Sequence, residues 1–265
     1  MGIDLLPLLI KMAAAAAVVV SASLVTERAG PFLGAMIVTL PVSAGPIYVI
    51  LAVDHGAGFI AAAALVSLAS NSATAVFTVV YALAAQRWST AVSLGLAALS
   101  WGAAAAIISL RHWTLVEALA LNVALFIPAI AITWRLRRAA FAGPVQRRWY
   151  DVPARGLGVA LLTGTVTLVS WQLGPAATGF FAVYPIVFTS LIVILHPRIG
   201  GPATAATLVN GLRGLVGFAG ALSTLHLMAT PFGSAIGLGA ALAVSVGWNT
   251  VLLLNARRTR AAKAT

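Results

Sequence analysis

Long apolar stretches separated by short polar turns run along the whole chain. A membrane-spanning helix needs about 20 mostly apolar residues, because the hydrocarbon core is about 30 Å thick and a helix rises 1.5 Å per residue. The apolar runs are continuous and do not alternate with polar residues, which favours helices over a β-barrel. The pattern therefore predicts an all-α polytopic membrane protein with nine spans, at about 5–26, 30–53, 57–85, 89–110, 113–134, 156–173, 174–195, 201–228 and 232–254.

One connection between the predicted spans is much longer than the others, and it is basic. It divides the chain into four parts. These are a first repeat of five spans at 1–134, a basic cytoplasmic loop at 135–155, a second repeat of four spans at 156–255 and a basic cytoplasmic tail at 256–265.

The first span has a second interpretation as a signal peptide, since Ser21-Ala22-Ser23 resembles a cleavage site. Lys11 lies too far along the chain for a charged n-region, which favours a retained span.

Composition excludes several classes of protein. The chain is 61% hydrophobic and 8% charged, with a mean hydropathy of +1.03, whereas soluble domains are about 45–50% apolar and about 25% charged. A cytosolic enzyme, a nucleic-acid-binding domain and a disordered chain are all excluded by this balance. Cysteine is absent, so the chain has no disulfides and no thiolate metal site.

The net charge of +11 is best explained by membrane topology. If the 135–155 loop faces the cytoplasm, 13 of the 16 lysine and arginine residues fall on that side, as the positive-inside rule requires. The N-terminus is then outside and the C-terminus cytoplasmic. The excess of arginine over lysine and the abundant alanine fit a bacterial inner-membrane protein, and the basic loops need no nucleic-acid partner.

The second half of the chain resembles the first at an offset of 144 residues, in one register for about 45 residues. The offset contains five spans. Because five is odd, the second copy is expected to be inverted in the membrane, an arrangement common in secondary transporters. The matching positions include Gly30-Pro31 with Gly174-Pro175, Pro41 with Pro185, Val49-Ile50-Leu51 with Val193-Ile194-Leu195, and Gly56 with Gly200.

Prolines interrupt the second and seventh predicted spans near their centres. Pro41, followed by Pro46, and Pro185 each remove a backbone hydrogen bond. Either the prolines form packed kinks, or the two interrupted helices meet at a central substrate site. On the second interpretation, polar residues beside the prolines are expected to bind substrate, namely Ser43, Tyr184 and Thr189.

Arg213 is the one charged residue at the centre of a predicted span. Such a charge costs about 2.5–3.5 kcal/mol to insert, which suggests either a structural role or a substrate role. Asn210 shares its helix face, and Asn71-Ser72 in the matching span of the first repeat are expected to face both residues. Glu117 is a candidate proton-coupling group if burial raises its pKa.

No catalytic signature is present: the chain has no phosphate-binding glycine loop, no GxSxG and no HExxH. The four histidines fall at span ends without metal-binding spacing. We therefore expect no enzyme activity, no metal and no cofactor. Tryptophans lie mostly near the predicted span ends, as in an aromatic belt, but Trp101 and Trp248 lie deeper.

Each half also resembles the GlpM family of small bacterial inner-membrane proteins. The likeness consists of a glycine ahead of the proline, an apolar stretch, a polar turn and an alanine-rich span, from Gly34 past Gly56 and again from Gly179 past Gly200. The family is similar to small drug/metabolite-type transporters with inverted repeats. The resemblance implies a duplicated transporter and carries over no functional residue.

Together these patterns predict a secondary transporter that moves a small anionic or polar metabolite by alternating access. Its partners would be the substrate and membrane lipids, with a homodimer as a further possibility. Two alternatives stay open. One is a flippase for a lipid or lipid-linked intermediate, and the other is a membrane scaffold that docks a partner on the 135–155 loop.

Overall fold

A computed structural model of the protein describes residues 5–28, 44–138 and 148–261. Within these ranges the fold is entirely helical, with nine α-helices and one short 3-10 helix at Trp134–Arg138. The α-helices are α1 (Leu5–Arg28), α2 (Ala44–Asp54), α3 (Ala57–Ala84), α4 (Thr90–Ser109), α5 (Leu115–Thr133), α6 (Asp151–Ala182), α7 (Ile186–Ile199), α8 (Gly201–Phe232) and α9 (Ser234–Ala261).

Seven of these helices are long and apolar enough to cross a membrane, and the other two, α2 and α7, are shorter apolar helices. The protein is therefore an integral membrane protein. Most predicted bounds are confirmed within a few residues, for example 57–85 against Ala57–Ala84 for α3 and 89–110 against Thr90–Ser109 for α4. Apolarity locates these ends because the hydrocarbon thickness sets the helix length.

The helices α3 and α8 lie antiparallel at the centre of the bundle. At one end Gly201 packs against the Ala85 carbonyl so closely that a Cβ atom would overlap it. At the other end His226 Nδ1 lies 2.8 Å from the Ala61 carbonyl oxygen. We call the end at Gly201 the basic end, because Arg198 precedes Gly201 in the sequence. We call the end at Ala61 the His55 end, because His55 precedes α3.

The helix α1 packs antiparallel along α6 through two glycines. A Cβ atom at Gly164 would lie 2.8 Å from Met12 Sδ, and one at Gly156 would lie 2.9 Å from Val20 Cγ2. Small residues of this kind let helices approach closely in membranes, where packing rather than the hydrophobic effect drives association. At the His55 end, Lys11 of α1 forms an ion pair with Asp54 of α2 at 2.6 Å.

The helix α6 contains a break at Gly174, whose φ of 74° and ψ of −169° are not helical. Before the break, Ser170 contacts His55 at the His55 end. After it, Gly179 packs against the backbone of Ala63, two turns into α3. The chain therefore turns back into the bundle at Gly174, where only glycine adopts a positive φ without strain. The predicted boundary between spans 156–173 and 174–195 falls at this residue.

The long predicted loop at 135–155 is shorter than expected. Its first residues form the 3-10 helix Trp134–Arg138, and α6 already begins at Asp151. Asp151 and Arg155 were assigned to the loop because they are charged, although both lie in the first turns of α6. Residues 139–147 lie outside the described ranges.

Candidate functional site

The helix that returns into the bundle is interrupted a second time, between Ala182 and Ile186. Pro185 has φ −75° and ψ 58°, and the Ile186 N–H donates to the Tyr184 carbonyl at 2.7 Å. This geometry is an inverse γ-turn. The structure thus has Pro185 between two helices, which agrees with the prediction that this proline breaks a span.

Aromatic side chains surround the break at mid-height of α4. The Trp101 ring lies 5.1 Å from the ring centroids of both Phe180 and Tyr184. Trp101 is 5% exposed, and its indole N–H is buried without a hydrogen-bond partner among the described residues. The Thr189 hydroxyl lies 3.4 Å from the Tyr184 hydroxyl. A buried donor that lacks an acceptor costs free energy, so a polar ligand that accepted a hydrogen bond from Trp101 would be stabilised here.

A relay of hydroxyl groups holds the returning segment against α3. The Ser67 hydroxyl donates to the Gly179 carbonyl at 2.7 Å, and the Tyr48 hydroxyl lies 2.7 Å from the same serine oxygen. Because Ser67 has one hydroxyl hydrogen and gives it to Gly179, Tyr48 is the donor in the second bond. The relay fixes the returning segment at the depth of Ser67.

Asn71 and Ser72 lie buried inside the bundle, where the hydrogen bonds of Asn71 connect three helices. Asn71 Nδ2 donates to Asn122 Oδ1 at 2.9 Å and to the Leu215 carbonyl at 3.3 Å. Asn122 Nδ2 in turn donates to the Leu68 carbonyl at 2.7 Å. The Ser72 hydroxyl bonds within its own helix, to the Ala69 carbonyl. These contacts agree with the packing interpretation of the two residues.

Arg213 and Asn210 are not brought together with Asn71 and Ser72. Both lie on the exposed flank of α8, where Arg213 Cζ is 5.8 Å from the Trp134 ring centroid. The adjacent Leu212 is fully buried. The position of a residue along an apolar stretch indicates its depth in the membrane but not how the helix is rotated about its axis. For this reason the expected contact of Arg213 and Asn210 with Asn71 and Ser72 is not found. The Arg213 side chain extends toward the basic end, so its guanidinium lies level with the end of α5.

Glu117 is not buried, although its expected role in proton coupling depended on burial. Its carboxylate accepts hydrogen bonds from the backbone N–H and the hydroxyl of Thr114, both at 2.9 Å, and it pairs with Arg111. The side chain is 36% exposed. Thr114 and Glu117 form a capping box, which closes the first turn of α5. The Thr-x-x-Glu spacing was the sequence signal for this role.

The remaining proline-site residues divide between described and undescribed parts of the chain. Pro41 and Ser43 lie outside the described residues. Pro46 lies in the first described turn of α2, near Ala44, where proline is tolerated. Pro46 therefore does not interrupt the described part of this helix.

Two pockets among the described residues lie away from the break at Pro185. One, of about 70 Å³, lies between α2, α8 and α9, and its lining is apolar, with Tyr48, Phe218 and Leu222 among the residues. The other, of about 520 Å³, lies beside Arg87 and Trp88 at the end of α3. Small-molecule sites usually measure about 300–1,000 Å³. No group of three or more metal-ligating side chains occurs within the described ranges.

No known protein family, curated protein or solved structure matches this chain. The resemblance to the GlpM family therefore stays a likeness of short motifs.

Proposed function

We propose that the protein is a secondary transporter for a small polar metabolite, with its central site at the broken helix between Ala182 and Ile186. The observation that carries the proposal is irregular backbone deep inside a helical membrane protein. Such backbone is tolerated at membrane depth only where it is buried in protein or lines a cavity. Interrupted helices of this kind carry the substrate sites of many secondary transporters.

Helix positions support a duplicated architecture. The helices α3 and α8 begin at Ala57 and Gly201, and α4 and α9 begin at Thr90 and Ser234. Both pairs differ by the same 144 residues as the sequence repeat (201 − 57 and 234 − 90). The agreement extends from sequence to helix boundaries, as expected for two copies of one unit.

Contacts between the halves support an inverted relationship. An inverted repeat has a two-fold axis, so a contact between positions i and j + 144 has a counterpart between j and i + 144. The Met12–Gly164 and Val20–Gly156 contacts are related in this way, since 12 + 144 is 156 and 20 + 144 is 164. Asn71 and Leu215, themselves 144 residues apart, are hydrogen-bonded to each other, as expected close to such an axis.

The chemistry around the break favours an uncharged or zwitterionic polar substrate. The described side chains there supply the Tyr184 and Thr189 hydroxyls and the Trp101 indole N–H. Arg213, on which the expectation of an anion rested, lies on the outer flank of α8 instead. An aromatic wall with a few hydrogen-bonding groups is typical of small-molecule sites.

Thermal stability with added ligands tests the proposal. Detergent-purified protein would be heated with separate panels of polyols and sugars, zwitterionic amino acids, carboxylates and organic cations. A ligand at about 100 times its Kd stabilises the native state by about 2.7 kcal/mol, which raises Tm by about 5 °C in a protein of this size. We expect a hit among the uncharged or zwitterionic compounds, followed by counterflow uptake of that compound in proteoliposomes.

Two variants with a matched control locate the site. Tyr184→Phe and Thr189→Val each remove one hydroxyl beside the break and should abolish most of the ligand-induced Tm shift. Thr165→Val removes a hydroxyl that bonds only within its own exposed helix turn, to Leu161, and should leave the shift unchanged. If the ligand-induced Tm shift survives both site variants, the proposed position of the binding site is wrong. If no compound raises Tm and none shows counterflow uptake, the proposed transport function is wrong.

The second candidate function is a lipid flippase, and the exposed guanidinium of Arg213 is the observation that favours it. A flippase would equilibrate fluorescent phospholipid headgroups between the leaflets of a liposome, whereas a metabolite carrier would not. Headgroup movement together with an empty ligand screen would select this function over the carrier.

A further inference from the structure

Two arginines from different elements lie against one exposed tryptophan. Arg137 Cζ is 4.3 Å from the Trp134 ring centroid, and Arg213 Cζ is 5.8 Å from the same centroid. Trp134 is 48% exposed. Asn210 joins the group, because its Oδ1 accepts a hydrogen bond from Arg137 Nε at 3.3 Å. We call these four residues the Trp134 surface.

The carboxylates of the described chain are all engaged elsewhere, so none of them neutralises the charge of Arg213. Asp54 pairs with Lys11, Glu117 with Arg111 and Asp151 with Arg198. The chain has five acidic residues, and the side chains of the other two, Asp4 and Glu27, lie outside the described residues. Arg213 therefore has no carboxylate partner among the described side chains, and an anion from outside the protein would complete the site.

The surroundings indicate that this anion belongs to a lipid. Along α5, Ile127 and Val123 precede Trp134 by about two and three turns and are 64% and 56% exposed. Residues seven apart share a helix face, so Ile127 lies on the same face as Trp134. On α8, Val216 follows Arg213 and is 37% exposed. A phosphate at the arginines would thus have apolar rows beside its acyl chains, in the direction of the bundle centre.

Trp134 occupies the position expected for a headgroup boundary. It follows the last residue of α5, and tryptophan is enriched at membrane–water interfaces. Trp248 also contacts this part of α8 and donates from Nε1 to the Arg213 carbonyl at 2.8 Å. The Arg213 side chain reaches along α8 to Trp134. Long arginine side chains commonly extend toward the interface, which keeps their charge near polar headgroups.

We propose that the Trp134 surface binds the phosphate headgroup of an anionic phospholipid, with the phosphate oxygens accepting hydrogen bonds from the guanidinium of Arg213. Arginine suits this ligand because its planar fork matches phosphate oxygens. Phosphate recognition is shared with free inorganic phosphate, and the apolar rows favour the lipid. The proposal does not depend on whether the protein is a transporter.

Native mass spectrometry of protein released from mixed nanodiscs tests the proposal. The nanodiscs would contain phosphatidylcholine with phosphatidylglycerol, and the readout is the ratio of the two lipids retained. We expect preferential retention of phosphatidylglycerol by the full chain. Arg213→Gln should lower the preference about fivefold, the effect expected of one basic residue near an anionic membrane surface. Arg213→Lys, which keeps the charge, should retain most of it.

Arg87→Gln is the matched control. Arg87 is exposed and follows α3 beside the exposed Trp88, but no second guanidinium lies over that ring within the described structure. The control should lower lipid preference clearly less than Arg213→Gln does, because it removes only a general surface charge, and equal Tm values for both glutamine variants would show that the fold is intact. An equal effect of both variants would refute the site and indicate non-specific charge.

Two further outcomes would also overturn the proposal. Inorganic phosphate at millimolar concentration that displaces phosphatidylglycerol completely would identify a soluble-anion site. A wild-type dimer that dissociates on Arg213→Gln without a change in lipid retention would identify this surface as a contact between copies of the chain. Retention that depends on Arg213 and persists in phosphate supports the lipid site.

Discussion

Arg198 and Asp151 form a two-pronged ion pair that ties the end of α7 to the beginning of α6. Arg198 Nη1 and Nη2 donate to the two carboxylate oxygens at 2.7 and 2.6 Å. The same carboxylate accepts from the backbone N–H of Arg148 at 3.0 Å. The pair joins the first turn of α6 to the last turn of α7, so the beginning and the end of the α6–α7 unit are held together at the basic end.

Removal of either partner of this pair should lower Tm by a few degrees. Asp151→Asn and Arg198→Gln each leave the other partner without its bidentate contact. Because both changes break one interaction, the double variant should be little worse than the worse single variant. Thermal unfolding of all four proteins in detergent measures this. Additive losses would show that the two residues act independently.

The interior amide pair should be a measurable source of stability. Asn122→Ala removes the partner of Asn71 and the bond to the Leu68 carbonyl. We expect a loss of about 1–2 kcal/mol in the free energy of unfolding, since buried groups lose their partners. Ser109→Ala, at an exposed hydroxyl that bonds within its own helix, is the control and should change stability little.

The close approach of α6 to α3 makes Gly179 intolerant of any side chain. A Cβ atom there would overlap the Ala63 carbonyl oxygen, and backbone cannot move aside as a flexible side chain can. Gly179→Ala should therefore destabilise the protein by about 1–3 kcal/mol. Gly95→Ala should have the opposite sign, because nothing lies within 4 Å of its Cβ position and alanine favours helix by up to about 1 kcal/mol. Equal effects of the two changes would contradict the packing.

Acidification should weaken the fold through His55. Its Nε2 lies 2.9 Å from the Ser170 hydroxyl, and because that hydroxyl donates to the Thr167 carbonyl, the histidine is the donor. The ring stacks on Phe59 with centroids 3.9 Å apart. Burial lowers the pKa of His55 from its ordinary value of 6.5, against an opposing effect of Asp54.

The direction of the pH effect follows from this lowered pKa. Near pH 6 the folded protein binds fewer protons at His55 than the unfolded chain, so stability is full above about pH 6.5 and decreases as the pH falls below it. Tm measured from pH 8 to pH 5 should show this decrease. His55→Gln should flatten the profile in that window, and an unchanged profile would assign the effect to other groups.

The absence of cysteine makes membrane orientation directly measurable. Gln86→Cys and His112→Cys each introduce a single thiol into a chain that has none, at exposed positions at the two ends of α4. With the basic end in the cytoplasm, an impermeant maleimide added to intact bacterial cells should label only the variant at 112. Labelling of the variant at 86 alone would reverse the predicted orientation.

Span positions were predictable because hydrocarbon thickness and local apolarity determine them. The predicted turn at 173/174 coincides with the non-helical Gly174, and the predicted break at Pro185 coincides with the γ-turn. In both cases the signal is local and steric, since glycine permits a positive φ and proline removes a backbone donor. Trp101 and Trp248, expected to lie deep, lie near the middle of α4 and α9.

Side-chain partnerships were less predictable because they depend on how each helix is rotated about its axis. Arg213 and Asn71 were expected to face each other, yet they contact Trp134 and Asn122 respectively. In a helix that is apolar on every face, the periodicity does not say which face is inside. Trp134 was expected at a span end as part of an aromatic belt, but the sequence did not indicate that Arg137 and Arg213 lie against its ring.

The two glycines that join α1 to α6 limit how this protein can move. With Met12 against Gly164 and Val20 against Gly156, the two helices interlock at two heights, and this packing opposes a slide of one helix past the other by a turn. We therefore expect a conformational change to carry α1 and the first part of α6 together. Bending is left to the positive-φ residue Gly174, which would act as a hinge between these two packed helices and the returning segment.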